Sequence, residues 1–420
     1  MKNSIAWFIL AALAPVFQLQ AADTLTVAQC RQLAIENSPL QARKLHAESI
    51  LTLQNRNIRS NMLPRVQVGA QASWQSDVFG LPFKFPGSEI PVVPQDQYKI
   101  SADIAQKIWD GGADKYLREQ KSLDKSIAEA QVDVDAFALR EWVTDLFFKT
   151  LLLQESEQIL QTSITDLQAR LKQTEAAIQE GVALRTSADQ IRIQILKNQQ
   201  QLAATAADKD ALMKMLAQWL GKPEPDFVLQ KVAAANPIQE PTRPEYRLFD
   251  LQQKSLQVGK SALQVRTLPR FEAFAQGGLG SPNPFNFFET GLEPFVLIGL
   301  RAAWTPIDWG NNRRESRILD YQMKNVDVQR QFFEQRLRTT SLKDKEDELK
   351  WNKQLAQDDE IIALQTDIIR RADAQVKNGV MTMTDYLTQL NLLTQAQLTR
   401  KTHEIQAIQA REMHLAKMGG

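Results

Sequence analysis

Two long stretches of this chain contain almost none of the residues that break helices. No proline occurs between Pro94 and Pro223 or after Pro306. The only glycine between Gly112 and Gly221 is Gly181, and the only glycine between Gly310 and Gly419 is Gly379. Proline and glycine are the strongest helix breakers, so each stretch is predicted to form a helical hairpin that turns at its lone glycine. At about 1.5 Å per residue, a straight helical arm could reach on the order of 100 Å.

The two stretches also match in length. Gly112 and Gly181 are 69 positions apart, and so are Gly310 and Gly379. Equal spacing in two segments of one chain is typical of an internal duplication. The helical hairpins are therefore predicted at 112–220 and 310–418, with tips near 181 and 379.

The segments before the hairpins repeat as well. Each copy contains two prolines 25 positions apart, and the second proline stands in a Leu-Pro-Arg tripeptide, at 63–65 or 268–270. A proline-rich segment separates the copies. The predicted organisation, in which each repeat opens with a helix, is a first repeat at 22–222, a linker or equatorial segment at 223–243 and a second repeat at 244–420.

Between each tripeptide and the following hairpin, apolar residues alternate with polar ones, as in a strand with two different faces. In the segment from Val66 to Trp74, one face consists of Val, Val, Ala, Ala and Trp. Such segments have the length of strands that cross a bilayer at a tilt. Two soluble hairpins, each with one wet face, would show the same alternation. The predicted membrane strands are 65–75, 97–107, 270–278 and 295–305.

The first residues, 1–21, have the pattern of a secretory signal peptide. Lys2 supplies a positive charge, an apolar segment follows, and Ala21 or Ala22 offers a small residue for cleavage. A short membrane anchor is the alternative, although the apolar segment is short for a span. Secretion and tryptophans near the strand ends favour a membrane barrel. The tryptophans expected at the membrane interface are Trp74, Trp109, Trp304 and Trp309.

Four strands are too few to close a barrel, since closed barrels begin at about eight strands. Open strand edges are not tolerated in lipid. If the strands lie in a membrane, the chain must form an oligomer, and a homotrimer would supply twelve strands.

The hairpin arms carry sparse apolar stripes at alternating spacings of four and three. Two stripes run from Leu160 to Leu171 and from Leu184 to Ile195, and a third consists of Ile361, Leu364 and Ile368. This spacing predicts that the two helices of each hairpin pack as an antiparallel coiled coil. A hollow helical tube and a solid coiled coil would both fit the pattern.

Several kinds of chemistry find no support in the sequence. Fifty basic residues stand against 49 acidic ones, which gives no reason to expect nucleic acid binding. Cys30 is the only cysteine, so an internal disulfide is excluded, and the capping-box pattern of Thr26 and Gln29 beside it indicates a packing role. The three histidines lack metal-ligand spacing, and no phosphate-binding glycine loop occurs. We therefore expect no metal, no cofactor and no enzymatic activity.

In their order and spacing, these motifs resemble the TolC-like outer membrane efflux proteins over nearly the whole mature chain. The resemblance rests on the opening segment 25–40, the Leu-Pro-Arg tripeptides, the turns at 108–112 and 307–310 and the glycine turns at 181–183 and 379–381. It implies a mainly α fold with membrane β. Each duplicated chain would contribute four strands to a trimeric 12-stranded outer-membrane β-barrel, continued by a long periplasmic α-helical barrel of coiled-coil hairpins.

The resemblance also implies a function and its partners. The chain would be the outer-membrane exit duct of a tripartite efflux or type I secretion system. It would conduct substrates passively, as a homotrimer in outer membrane lipid that extends into the periplasm. The expected partners are a periplasmic adaptor (membrane fusion) protein and an inner-membrane transporter of the RND, ABC or MFS type. A periplasmic coiled-coil adaptor or tether without a channel is the alternative, although adaptors usually have one hairpin and no duplication.

In this family the glycine turns form the periplasmic tips where the adaptor docks. A tight turn that another hairpin approaches needs a permissive backbone and small side chains. Carried over residue by residue, the resemblance implicates Gly181, Val182, Ala183, Gly379 and Val380.

Family members often close the inner end of the channel with acidic residues just after the second tip. Asp385 occupies such a position and is the candidate for a periplasmic gate, whereas Thr388 stands where a further acid would be expected. Asp385 is equally well interpreted as a carboxylate that stabilises a helix N-terminus.

Overall fold

The computed structural model describes residues 23–79, 92–231, 243–286 and 289–418. The predicted signal peptide at 1–21 lies outside these ranges, as does most of the predicted linker. In chain order the described residues form β1 (Asp23–Leu25), α1 (Val27–Glu36), α2 (Leu40–Ser60), β2 (Arg65–Trp74), β3 (Asp96–Trp109), α3 (Ala113–Gln179), α4 (Arg185–Trp219), β4 (Phe227–Leu229), α5 (Pro244–Val265), β5 (Arg270–Ser281), β6 (Glu293–Ala303), α6 (Asn311–Lys377) and α7 (Met383–Lys417).

Within these ranges, no helix combines the length and the apolar content needed to cross a membrane.

The chain divides into two compact units, of which the first contains the glycine turns. This hairpin unit comprises the described residues within Met1–Asn37, Leu139–Pro237 and Asp344–Ala416. It holds α1, α4, the C-terminal parts of α3 and α6, and nearly all of α7. Two short strands that the sequence did not predict, β1 and β4, pair in parallel within it.

The start of α1 explains the position of the lone cysteine. The predicted capping box is confirmed, because the Thr26 hydroxyl accepts from the Gln29 backbone N–H while the Gln29 side chain accepts from the Thr26 N–H. Cys30 on the next turn is fully buried. Burial raises the pKa of its thiol to about 12, so the group is a protonated packing residue at neutral pH.

Most residues of the coiled-coil stripes of the first hairpin are buried in this unit, but Leu184 is 73% exposed. Ile164 and Leu167 on α3 pack with Ile191 and Ile195 on α4. In the second hairpin the two helices pack as predicted, but the stripe assigned to α6 was wrong, because its residues are exposed in this chain. The packed face of α6 lies about one residue, or 100°, further round the helix. The exposed residues are Ile361, Leu364 and Ile368, and the packed residues are Ile369, Ala372 and Val376.

The second, or sheet, unit comprises the described residues within Ser38–Ala138, Ile238–Lys343 and Lys417–Gly420. It contains α2, α5, the N-terminal parts of α3 and α6, and an antiparallel four-stranded sheet in the order β2-β3-β5-β6. In each repeat an ion pair joins the helix before the strands to the long hairpin helix, although the two pairs lie at different positions along these helices. Lys44 on α2 lies 2.7 Å from Asp133 on α3, and Lys260 on α5 lies 2.6 Å from Asp320 on α6.

The strand register gives the sheet two different faces. One face is apolar across all four strands, as in the row formed by Val68, Ala102, Gly277 and Val296. The other face is largely polar, as in the row formed by Gln67, Asp103 and Gln276. Val68 and Val296 are each 71% exposed in the single chain. A continuous apolar face opposite a polar one is the arrangement of strands between lipid and a lumen.

Candidate functional site

The two glycine turns have the same backbone geometry. Gly181 and Gly379 have φ of +76° and +73°, a left-handed conformation that glycine adopts without steric cost. In each turn the glycine N–H and the following N–H donate to carbonyls of the preceding helix, at 2.9–3.1 Å. These paired hydrogen bonds form a Schellman motif, which satisfies the last carbonyls of the helix and reverses the chain. The repeat therefore extends to the hydrogen bonds of its turns.

Both turns leave space around the glycine and expose the next side chain. A Cβ added to Gly181 or Gly379 would have no atom within 4 Å. Val182 and Val380 are 75% and 76% exposed. Two exposed valines at equivalent positions are a pair of small apolar contacts, available to a partner that approaches both turns.

The helices that follow the turns begin differently. In the second copy the Thr382 hydroxyl accepts from the Asp385 N–H at 3.1 Å and lies 2.6 Å from the Asp385 carboxylate, to which it donates. In the first copy Leu184 is at the N-cap and provides no side-chain hydrogen bond. Asp385 is exposed in the first turn of α7. Its carboxylate therefore has a capping partner and still faces water.

An ion pair joins the two hairpins near the turns. Arg170 on α3 binds Asp373 on α6, and its guanidinium lies 4.8 Å from the ring centroid of Tyr386 on α7. Lys377 binds the same carboxylate at 2.8 Å. Burial acts to raise the pKa of Asp373, but Lys377 and Arg170 outweigh it, so the pKa lies below its usual value. No sequence pattern predicts this contact, because Arg170 and Asp373 are 203 positions apart.

Both turns border one groove, with a volume of about 750 Å³. Four of the five predicted docking residues line it, whereas Gly181 and Asp385 do not. Residues that the prediction left out, among them Leu184 and Met381, complete the walls. The four predicted lining residues are Val182, Ala183, Gly379 and Val380.

Three of the four predicted interface tryptophans lie at or next to strand ends of the sheet unit. Trp74 ends β2, and Trp109 ends β3 with its ring 5.9 Å from that of Phe271. Trp304 follows β6, and its indole N–H donates to the Thr267 carbonyl at 3.0 Å. Trp309 lies in the turn before α6 and is 87% exposed. Trp74 stands at the loop end of the sheet, and the other three stand at the end that leads into the helices.

The strand-to-helix turns of the two copies are built on an aspartate. Asp110 accepts from the N–H groups of Gly112 and Asp114, at 3.0 and 3.1 Å. Asp308 accepts in the same way from the N–H groups two and four residues later, at 2.9 and 2.8 Å. Asp110 and Asp308 are therefore equivalent. It follows that Trp309 is the counterpart of Gly111, and not of Trp109.

Among the residues that the structure describes, no three histidine, cysteine or acidic side chains are grouped so as to hold a metal ion.

Comparison with known proteins finds one matching family and several solved structures with a similar fold. The outer membrane efflux protein family matches residues 30–222, which cover most of the first repeat. The structure of the channel protein CusC is similar with a TM-score of 0.68 at 14% identity, over 94% of this chain and 92% of that chain. The outer-membrane channel OprN gives a TM-score of 0.68 at 14% identity, over 94% and 90%. The outer membrane protein VceC of Vibrio cholerae gives 0.66 at 12% identity, over 94% and 96%. No curated protein sequence matches significantly.

A two-faced sheet combined with two glycine-turned hairpins defines a class of outer-membrane channel subunits. The first repeat matches the outer membrane efflux protein family, and the fold of the whole chain is similar to that of outer-membrane channels. Proteins of this family are passive trimeric channels that work with an adaptor and an inner-membrane pump. The resemblance, the fold class, the efflux-channel function and the outer-membrane location expected from the sequence are thereby confirmed.

Proposed function

We propose that the chain works as a homotrimeric exit duct that catalyses no reaction, with its sheet in outer membrane lipid. The observation that carries this proposal is the four-stranded sheet with one apolar face, one polar face and two outer edges, at β2 and β6. In lipid those edges need partners. Three copies, each pairing β2 with β6 of its neighbour, would close a barrel whose polar face lines the lumen.

Fractionation and gel mobility test this assembly. We expect the protein in the outer membrane fraction, running as a trimer in unheated SDS samples and as a monomer after boiling. The purified trimer should conduct ions in planar lipid bilayers. A soluble periplasmic monomer would contradict the duct and support the alternative, a coiled-coil adaptor or tether.

The four tryptophans are proposed to lie in the membrane interface. Trp74 would mark the external boundary, and Trp109, Trp304 and Trp309 the periplasmic one. Their fluorescence should be quenched by lipids brominated near the headgroups more strongly than by lipids brominated at the chain ends. Equal quenching by both lipids would contradict this placement.

The glycine turns are proposed as the docking site of a periplasmic adaptor. The equal geometry of the turns, the exposed Val182 and Val380 and the shared groove support this role. Gly181→Arg should abolish efflux, whereas Gly181→Asn should retain it, because asparagine tolerates positive φ and adds little bulk. Gly379→Arg and Gly379→Asn test the second turn in the same way. The mobility of the trimer on gels controls for assembly.

Adaptor binding should be read out separately from efflux. A cross-linker at Val182 should capture the adaptor, and the inner-membrane transporter should co-purify, which would identify it as an RND, ABC or MFS protein. Normal drug tolerance in both arginine variants would contradict docking at the turns.

Asp385 is proposed as a gate residue in addition to its place in the helix cap. Its exposed carboxylate supports the proposal, since three copies in a trimer would repel one another and bind cations. Asp385→Ala should raise single-channel conductance and weaken cation preference. Thr382→Ala removes the capping partner and keeps the charge. If Asp385→Ala leaves conductance unchanged, or if both variants act alike, only the capping role remains.

A further inference from the structure

Residues 282–286, which follow β5 and form the first described part of the β5–β6 segment, lie on the polar face of the sheet. Gly280 is in register with Lys99 and Glu293, and Lys99 donates to Gln276 at 3.3 Å, which places this row on the polar face. A Cβ added to Gly280 would lie only 2.7 Å from Cδ of Pro284. Pro284 therefore occupies the space where a side chain at position 280 would project.

Aromatic contacts hold the segment against this face. Phe285 packs edge-on against Phe295, with ring centroids 5.5 Å apart. Phe295 is only 4% exposed, and the Lys99 ammonium lies 5.1 Å from its ring centroid. Phe295 is buried on a largely polar face, and Phe285 supplies part of its cover.

Hydrogen bonds within the segment keep its shape. Asn283 is buried, its Oδ1 accepts from the Phe285 N–H at 3.0 Å, and its Nδ2 donates to Glu289 at 2.9 Å. The Ser281 hydroxyl donates to the Thr290 carbonyl at 3.1 Å. The conformation of the described residues of the segment is therefore fixed by their own hydrogen bonds as well as by the sheet.

We propose that residues 282–286 of each subunit project into the lumen at the external end of the channel, where Phe285 and Lys99 form a constriction. This inference rests on the proposed trimeric duct, in which the polar face lines the lumen. The segment lies at the sheet end opposite the strand-to-helix turns, which is the external end of a barrel whose helices lead into the periplasm. Three copies around one axis narrow the exit and place three ammonium groups near it.

Single-channel recording in planar bilayers tests the constriction. Phe285→Ala should release the segment and raise conductance about twofold. Leu292→Ala is the matched control, since it truncates an exposed apolar side chain at the other end of the same segment and should leave conductance unchanged. Lys99→Gln should shift the reversal potential toward cation preference in a salt gradient.

Thiol labelling asks directly whether Phe285 borders the ion path. Cys30 is buried, with a protonated thiol, so a cysteine introduced at 285 is the reactive one. Negatively charged methanethiosulfonate ethylsulfonate should reduce the current of Phe285→Cys in up to three steps, one for each subunit. Leu292→Cys should show no such steps.

The outcomes separate this inference from the proposed function. A wild-type protein that forms no conducting trimer would overturn the duct itself. Conducting trimers in which neither Phe285→Ala nor labelled Phe285→Cys differs from its Leu292 control would overturn the constriction alone.

Discussion

Trp309 has a left-handed backbone conformation, which is unusual for a residue with a side chain. The equivalent residue in the first repeat is a glycine, Gly111. Gly111 has φ of +75° and Trp309 has φ of +54° at the equivalent position of the two strand-to-helix turns. A left-handed conformation costs a residue with a side chain about 1–2 kcal/mol. The second turn therefore tolerates strain that the first avoids, and the Asp308 hydrogen bonds hold it in place.

This difference predicts opposite effects of substitution at the two turns. Trp309→Gly should be more stable than Trp309→Ala by about 1 kcal/mol, because both lose the indole and only the glycine variant loses the strain. Gly111→Ala should destabilise by at least that amount, since its Cβ would also lie 3.1 Å from that of Leu268. Thermal unfolding of the purified trimer, followed by circular dichroism, measures both. Equal melting temperatures for Trp309→Gly and Trp309→Ala would show that the turn is unstrained.

Asp373 makes the stability of the hairpin unit depend on pH. Its pKa is lower in the folded protein than in the unfolded chain, so its contribution is present above the unfolded value of about 3.9. That contribution is lost as the pH falls through the folded value. Asp373→Asn should lower the melting temperature at pH 7 and flatten its fall between about pH 5 and pH 3.

Asp189→Asn serves as the control for this experiment, because its carboxylate is 62% exposed. The melting temperature of Asp189→Asn should change with pH in the same way as that of the wild type. If the pH profile of Asp373→Asn also follows the wild type, the ion pair with Arg170 does not determine acid stability.

Helix pairing in the hairpin unit depends on a buried polar layer as well as on apolar stripes. Asn198 on α4 donates to the Ser163 hydroxyl on α3 at 3.0 Å, and that hydroxyl lies 3.4 Å from the Thr394 hydroxyl on α7. Ser163 and Asn198 are both buried. A polar residue in a coiled-coil core fixes register, because a slip would leave it buried without a partner.

A double-mutant cycle measures this layer. Asn198→Ala should cost about 1–3 kcal/mol, because it leaves the Ser163 hydroxyl without that donor. Ser163→Ala should lower the free energy of unfolding less in the Asn198→Ala variant than in the wild type. The difference, which is the coupling energy, should be about 0.5–1.5 kcal/mol. Gln199→Ala, at the exposed neighbouring position, should change stability by less than about 0.5 kcal/mol. Additive effects of Asn198→Ala and Ser163→Ala would contradict a coupled layer.

Local sequence patterns made the long helices and the membrane strands predictable. Contacts between distant residues leave no such pattern and could not be predicted. The scarcity of glycine and proline marks the hairpins, and period-two alternation marks the strands. A heptad stripe sets a spacing without naming its partner, so Ile361 was assigned to a core that Ile369 occupies. The contact of Arg170 with Asp373 and that of Phe285 with Phe295 join residues from separate elements. Neither contact leaves a pattern in the sequence.

The two outer edges of the sheet link membrane insertion to assembly. β2 and β6 each have one neighbour in the four-stranded sheet. Each backbone group left unpaired in lipid costs several kcal/mol. A single inserted subunit would carry two rows of such groups, and a closed trimer would carry none. Insertion and trimerisation are therefore expected to occur together, and damage to the apolar face should remove the trimer.

Adjacent residues on β2 test this coupling. Val68→Arg places a charge on the apolar face, which costs about 2–4 kcal/mol per chain near the bilayer centre and about three times as much in a trimer. Gln67→Arg places the same side chain on the polar face, in register with Asp103, and should be tolerated. Heat-modifiable trimer in the outer membrane fraction should be lost in Val68→Arg and retained in Gln67→Arg. Equal amounts in the two variants would mean that the faces do not separate lipid from lumen.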